Sequence, residues 1–239
     1  MKRIGEFTGF SQKALDFLHE LANNNDKAWF DEHKPIYEQE ILAHAPAFVA
    51  ALGERLKTIS PAIEYDTRTN GSGSIMRIYR DTRFSDDKTP YKTNVAFAFW
   101  EGPRKKMENP SFGFQFGTWG AGLYAGQWLF PKDLLPRYQQ AVDQEATGAA
   151  LTAAINQVRN AGAYSIEGEQ YAKIPRGYAA DHPRADLLRY KGLHVSSPQI
   201  DRAVLCTPAL VDVIFEHCRQ MAPVQQWLVQ VERQAMSAC

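Results

Sequence analysis

Thr93-Asn94-Val95-Ala96-Phe97-Ala98-Phe99-Trp100 and, one loop later, Phe112-Gly113-Phe114-Gln115-Phe116 decide the fold class. In the first run Val95, Phe97 and Phe99 alternate with Asn94, Ala96 and Ala98; in the second the three phenylalanines share one side. A period of two belongs to a strand with one buried face. Ile75 to Arg80 and Leu123 to Phe130 are read as further strands. The loops between these strands are too short for a crossover helix, so the sheet is expected to be antiparallel.

Outward from this block the periodicity becomes helical. Ser11 can cap a helix carrying Ala14, Leu15, Leu18 and Leu21, which ends at Asn23-Asn24-Asn25-Asp26. Helical sequence resumes at Lys27, with Pro35 and Pro46 as kink or restart points, and its last piece runs from about Ala47 to Ile59. After the strands come an amphipathic stretch from Pro131 to Glu145, a helix capped by Thr147 that stops near Gly162, and a short helix opened by Pro183. Thr207-Pro208 opens a helix to about Gln220, and a last one covers Val224 to Gln234. Helices, strands, then helices give an α+β class, a central antiparallel sheet covered by N-terminal and C-terminal helices. With no linker in sight, the expectation is a single domain over residues 1–239 with its core at about 7–236.

Bulk composition narrows the function classes. The 239 residues can bury a core that needs no disulfide or metal. Equal numbers of basic and acidic residues, 27 each, disfavour a nucleic-acid partner. Cys206, Cys218 and Cys239 form no C-x-x-C pair and fit a reduced, cytoplasmic chain. The start, Met1 to Phe7, has no apolar run of the kind a signal peptide needs, and no segment reaches membrane-spanning length. H-E-x-x-H, Walker, G-x-S-x-G and G-x-G-x-x-G patterns are absent, and the sequence names no metal or cofactor. It is also silent on oligomeric state.

The chemistry concentrates in two stretches. Arg77 to Lys92 holds five cations (Arg77, Arg80, Arg83, Lys88, Lys92) against three carboxylates (Asp81, Asp86, Asp87). Strand alternation sends Arg77 and Arg80 to opposite sides and makes Arg80 the inward charge, in need of an aspartate partner. Arg83, Lys88 and Lys92 are freer to converge on a phosphate or carboxylate, with Tyr91 adding a hydroxyl donor. The alternative is a salt-bridged network that locks the hairpin. The second stretch, Tyr171 to Pro183, contains Lys173, Arg176, Tyr178, Asp181 and His182 in a loop. His182 and Asp181 are the candidates for proton transfer, Arg176 and Tyr178 for ligand contact; the competing role for Asp181 is a helix cap. Trp29, His33 and Tyr37 read as a core stripe at helical spacing, Gly71-Ser72-Gly73-Ser74 as a mobile turn, and Pro103 to Lys106 as a solvated hairpin tip. Cys206 and Cys218 read as helix-packing residues.

Asn23 to Phe30, Arg77 to Ser85, Asp87 to Lys92, Pro175 to Tyr178 and Asp181 to Pro183 together resemble the bacterial and fungal family filed as domain of unknown function 2461. R-D-x-R-F-S…D-K-x-P-Y-K is the specific piece, and the order and spacing cover nearly the whole chain. The resemblance implies a single domain and a cytoplasmic setting, and it implies no activity. On the residues themselves, the leading expectation is that the two stretches meet at one sheet edge in a cationic pocket for a small phosphate- or carboxylate-bearing ligand, perhaps for catalysis. Its rivals are a nucleic-acid or protein interaction module and a purely structural ion-pair network.

Overall fold

The computed structural model describes residues 5–237, the last three without their side chains. Met1 to Ile4, part of the stretch read for a signal peptide, and Cys239 lie outside the described residues.

Three helical segments open the chain. Ser11 Oγ accepts a hydrogen bond from Ala14 N at 3.1 Å and caps α1 (Gln12–Asn23). Asp26 caps α2 (Lys27–Ile36) through Trp29 N at 3.0 Å. A π-helical stretch, Tyr37–Leu42, links α2 to α3 (Ala45–Leu56), and Pro35 and Pro46 fall on either side of it. Proline lacks an N–H, so the register change sits where a helical hydrogen bond is missing anyway.

Three strands follow, β1 (Asn94–Trp100), β2 (Ser111–Gly117) and β3 (Gly120–Gln127). Then come α4 (Leu135–Asp143), α5 (Glu145–Ala161), β4 (Ser165–Glu167), α6 (Ala185–Leu188), β5 (Leu193–Ser196) and α7 (Leu210–Ser237). The sheet is antiparallel throughout, in the order β1-β2-β3-β5-β4. The fold is therefore α+β, with helices before and after the sheet in the chain.

Register fixes two unlike faces. Phe97 pairs with Phe114, and Phe114 with Leu123, so the phenylalanines line one side. Phe48 of α3 packs on Phe97 at 4.8 Å and on Phe114 at 5.4 Å, and Phe10 packs on Phe116 at 4.7 Å. These rings are at most 1% exposed, and burying each contributes up to roughly 3 kcal/mol. The opposite face carries Asn94, Ala96, Gln115, Gly122, Tyr124, His194, Ser196 and Glu167. Gly113 belongs to it because a Cβ there would lie 1.9 Å from the Tyr124 ring.

Several expectations are corrected. Ile75 to Arg80 is not a continuous strand: it meets β1 through the bridge Ile75↔Phe97 and the bond from Met76 N to Ala96 O at 2.9 Å, and Tyr79 bridges Tyr91, which precedes β1. Ile75 and Ile78 are both buried, so the chain turns between them and strict alternation fails. The strand read as Leu123 to Phe130 starts earlier, at Gly120, and ends at Gln127; Trp128 and Leu129 are exposed. The two last helices are one, α7, which runs through Pro223. The short strands β4 and β5 had no predicted counterpart. The tip at Pro103 to Lys106 is tied down: Arg104 pairs with Asp133 and the buried Glu232, and Lys106 Nζ bonds the carbonyls of Gly71 and Gly73. The same lysine holds the turn that was read as mobile.

Candidate functional site

The charged stretch folds against the free side of β1. Its anchor is Asn25, whose side-chain amide donates to Tyr91 O at 2.9 Å while its oxygen accepts from Tyr91 N at 3.0 Å. One asparagine thus stands in for a neighbouring strand. Tyr91 itself is 4% exposed and stacks on Phe30 at 4.0 Å, so its ring serves the core.

Three of the five cations have partners within the stretch. Arg80 Nη1 donates to Asp87 and to Thr89 Oγ1. Arg83 forks onto Asp81, Nε to Oδ1 at 2.9 Å and Nη2 to Oδ2 at 2.7 Å. Lys88 Nζ donates to Thr82 O at 3.0 Å. The Arg83 fork pulls Asp81 down to about 2, and Thr89, first through its backbone N–H, pulls Asp87 to the same value. Arg80, the expected inward charge, is half-buried and finds the expected aspartate.

Arg77 and Lys92 are different. Among the described residues neither has a side-chain hydrogen bond or an ion pair. Asp81 feels the charge of Arg77, but both its oxygens are taken by Arg83. Lys92 continues the alternation of β1 on the side of Asn94 and Ala96, and is only half-exposed. Burial first, and then the nearby Arg77 charge, push its ammonium below the ordinary lysine value. Lys106, from the β1–β2 loop, is also pushed down by burial; the Asp66 carboxylate nearby works against that shift, and the Lys92 charge adds to it. A Cβ on Gly71 would lie 2.9 Å from Arg77 Cβ, so the glycine turn held by Lys106 rests on Arg77. Three cations from three segments therefore gather on one side of the sheet edge. Like charges kept together in a partly desolvated place destabilise the fold unless an anion joins them.

The second stretch lies elsewhere. It follows β4 at the far end of the strand order, four strand intervals, or about 19 Å, from β1. The two stretches do not meet at one edge: the first borders β1, while Gln170 bridges Tyr190 and His182 lies beside Asp143. Arg176 and Asp181 are exposed; Tyr178 is half-buried against the core, and burial raises its hydroxyl. Asp181 makes no cap to α6. His182 Nδ1 accepts from Arg184 N at 3.0 Å, and Nε2 lies 3.3 Å from Asp143 Oδ1. The first bond needs an unprotonated Nδ1, so the neutral ring carries its hydrogen on Nε2. Its Nδ1 lone pair is engaged by the backbone, and its Nε2–H faces the Asp143 carboxylate. Nearby, α5, β4 and the segment before α6 enclose a cavity of about 500 Å³ lined by Asn156, Arg159, Gln170, His182, Arg184 and Tyr190, among others.

The Trp29, His33 and Tyr37 stripe is a packing feature: Trp29 stacks on His33 at 4.0 Å, and Tyr37 is buried. Cys218 is buried in α7 and Cys206 partly buried, as packing residues would be. No group of three or more His, Cys, Asp or Glu side chains among the described residues could hold a metal ion. No helix among them is long and apolar enough to cross a membrane. Sequence reasoning found Lys92 but assigned Lys106 to a solvated tip. The only signal for Lys106 was its sequence neighbourhood, which says nothing about the glycine carbonyls 33 to 35 residues away.

No curated protein matches the chain significantly. The family model described as a conserved hypothetical protein, domain of unknown function 2461, matches residues 13–227, a span that includes all but the first residue of α1, the whole sheet and most of α7, and the chain belongs to that family.

Proposed function

We propose that the protein binds a small phosphate- or carboxylate-bearing ligand at the cluster of Lys92, Arg77 and Lys106. One observation carries this reading: Lys92 is a half-buried ammonium with a like charge beside it and no carboxylate partner. A bound anion would supply the missing countercharge, with Arg77 offering a fork and Lys92 a point charge. Arg80, Arg83 and Lys88 shape the hairpin through their own pairs, which supports the structural reading for those three. Arg176, Tyr178, Asp181 and His182 are too far away to share this ligand. Binding is favoured over catalysis because the carboxylates whose charges reach the cluster, Asp66 and Asp81, are engaged by Arg68 and Arg83.

The test is thermal unfolding and calorimetric titration with inorganic phosphate, pyrophosphate and citrate, with chloride as the control. Saturable stabilisation by at least one polyanion is expected, and its loss in Lys92→Met and in Arg77→Gln. Equal responses of wild type and both variants would sink the reading. A nucleic-acid interface would instead show binding to a mixed-sequence duplex that weakens steeply with salt.

A further inference from the structure

The other end of the sheet holds a pocket of the opposite character. A cavity of about 460 Å³ is lined by Trp128, Leu129, Glu167, Gly168, Glu169 and His194. Trp128 is 60% exposed although its ring stacks on His194 at 4.3 Å and 19°, so its outer face is left to solvent. Tyr124 meets the same histidine edge-on at 6.3 Å. His194 is 3% exposed, yet neither ring nitrogen has a hydrogen-bond partner. Its nearest charge is Glu167 Oε2, 3.7 Å from Nε2, which is beyond hydrogen-bond length. Buried imidazoles in native folds are normally satisfied, so an orphan one marks a place where a partner is missing.

Glu167 is the second half of the pocket. It pairs with His194 across β4 and β5, which sends both side chains to the same side of the sheet. The hydroxyl of Ser196 donates to its Oε2 at 3.0 Å, and that of Ser165 donates to Oε1. The Ser165 bond first, and the Ser196 bond with it, hold the carboxyl below its ordinary value, so it is ionised at neutral pH. Among the described residues no lysine or arginine forms a salt bridge with it, whereas neighbouring Glu169 is occupied by Lys191. A fixed, half-exposed carboxylate and an exposed indole face converge here over a buried imidazole whose nitrogens are closed off from solvent.

We infer that this pocket binds a small organic cation with N–H donors, a primary ammonium or guanidinium on an apolar stem. The cationic head donates to Glu167, and the stem lies on Trp128 and Leu129, where the indole adds cation–π attraction. Anions are repelled by Glu167 and Glu169. A metal ion finds too few ligands, since no group of three suitable side chains exists among the described residues. The inference is independent of the anion site, which lies at the opposite end of the strand order.

Calorimetric titration of the full chain with butylammonium, butylguanidinium and tetramethylammonium chlorides tests it. The first two bind saturably, one to one, at millimolar concentration, and tetramethylammonium, which lacks N–H donors, binds about tenfold more weakly. Glu167→Gln and Trp128→Leu each lower affinity by about tenfold or more, and Lys92→Met leaves it unchanged. A capped lysine peptide separates two sources of the same chemistry. Tighter binding than butylammonium assigns the pocket to a protein side chain and weaker binding to a free amine, and either supports the inference. Melting curves check that the variants fold; the isosteric Glu167→Gln decides if Trp128→Leu does not. The inference is overturned if wild type shows no saturable binding of either donor, or if Glu167→Gln binds within about twofold of wild type.

Discussion

The two faces of the sheet are made from alternate residues of the same strands and obey different rules. On one face Phe97, Phe114 and Phe116 meet Phe10 and Phe48, and every ring is closed off from water. On the other, small residues such as Ala96 and Gly122 leave room, and the polar groups are incompletely matched. Among the described residues, Lys92 has no carboxylate partner, Glu167 no lysine or arginine but a histidine at 3.7 Å, and the His194 side chain no hydrogen bond. The difference sets stability apart from the proposed functions: the face with every requirement met holds the fold, and the face with requirements unmet is where both proposed ligands would bind.

The sharpest way to break that division is through the closed face. Phe114→Ala removes a ring in contact with Phe48, Phe97 and Phe116 and is expected to cost about 3–5 kcal/mol in urea unfolding. A loss below about 1 kcal/mol would show that this face does not hold the fold. A smaller effect is expected where a charge pair replaces hydrophobic closure. Arg104 covers Glu232, whose side chain is 2% exposed and whose Oε2 already lacks a partner. Arg104→Met therefore strands a buried carboxylate and costs about 3 kcal/mol, most of which returns in the double variant with Glu232→Met. A double variant no better than the single one would contradict the pairing.

The exposed hairpin pairs come next. Asp81 and Asp87 are lowered from 3.8 to about 2. A depressed carboxylate contributes stability above its unfolded value, and that contribution is lost as pH falls from 3.8 through about 2. Amide exchange in residues 77–92 should therefore quicken over that window before the β1–β2 amides do. Simultaneous loosening of both regions would mean that the hairpin is not an independent, ion-paired unit.

Much of the fold is legible in the sequence where one residue type repeats at one period. The phenylalanines of β1 and β2 and the capped stripe of α1 are of that kind. β3 was misplaced because Gly120, Gly122 and Gly126 leave its open side without side chains to show the alternation. α7 was divided at Pro223, although buried Met221, Ala222 and Val224 around the proline secure the helix by packing. β4 and β5, of three and four residues, are shorter than any periodic signal. The site was half legible. The excess of cations in Arg77 to Lys92 is visible in one dimension, and so is the rule that sets Arg77 apart from Arg80. Which cations are neutralised depends on Asp87, Thr89 and the glycine carbonyls, and these are a matter of three-dimensional folding. His194 and Glu167 carry no local pattern; only the β4–β5 register brings them side by side.

The central claim is that Lys92 is kept at a cost to stability because an anion uses it. Its value is lowered from 10.5, so the charged form is disfavoured in the fold. The penalty is full at neutral pH and fades as pH rises toward 10.5. Thermal unfolding of Lys92→Met beside wild type, at neutral pH with and without inorganic phosphate, measures this directly. The account predicts a variant at least as stable as wild type without phosphate, and one that phosphate fails to stabilise. A variant that melts lower without phosphate and gains as much from phosphate as wild type would contradict it.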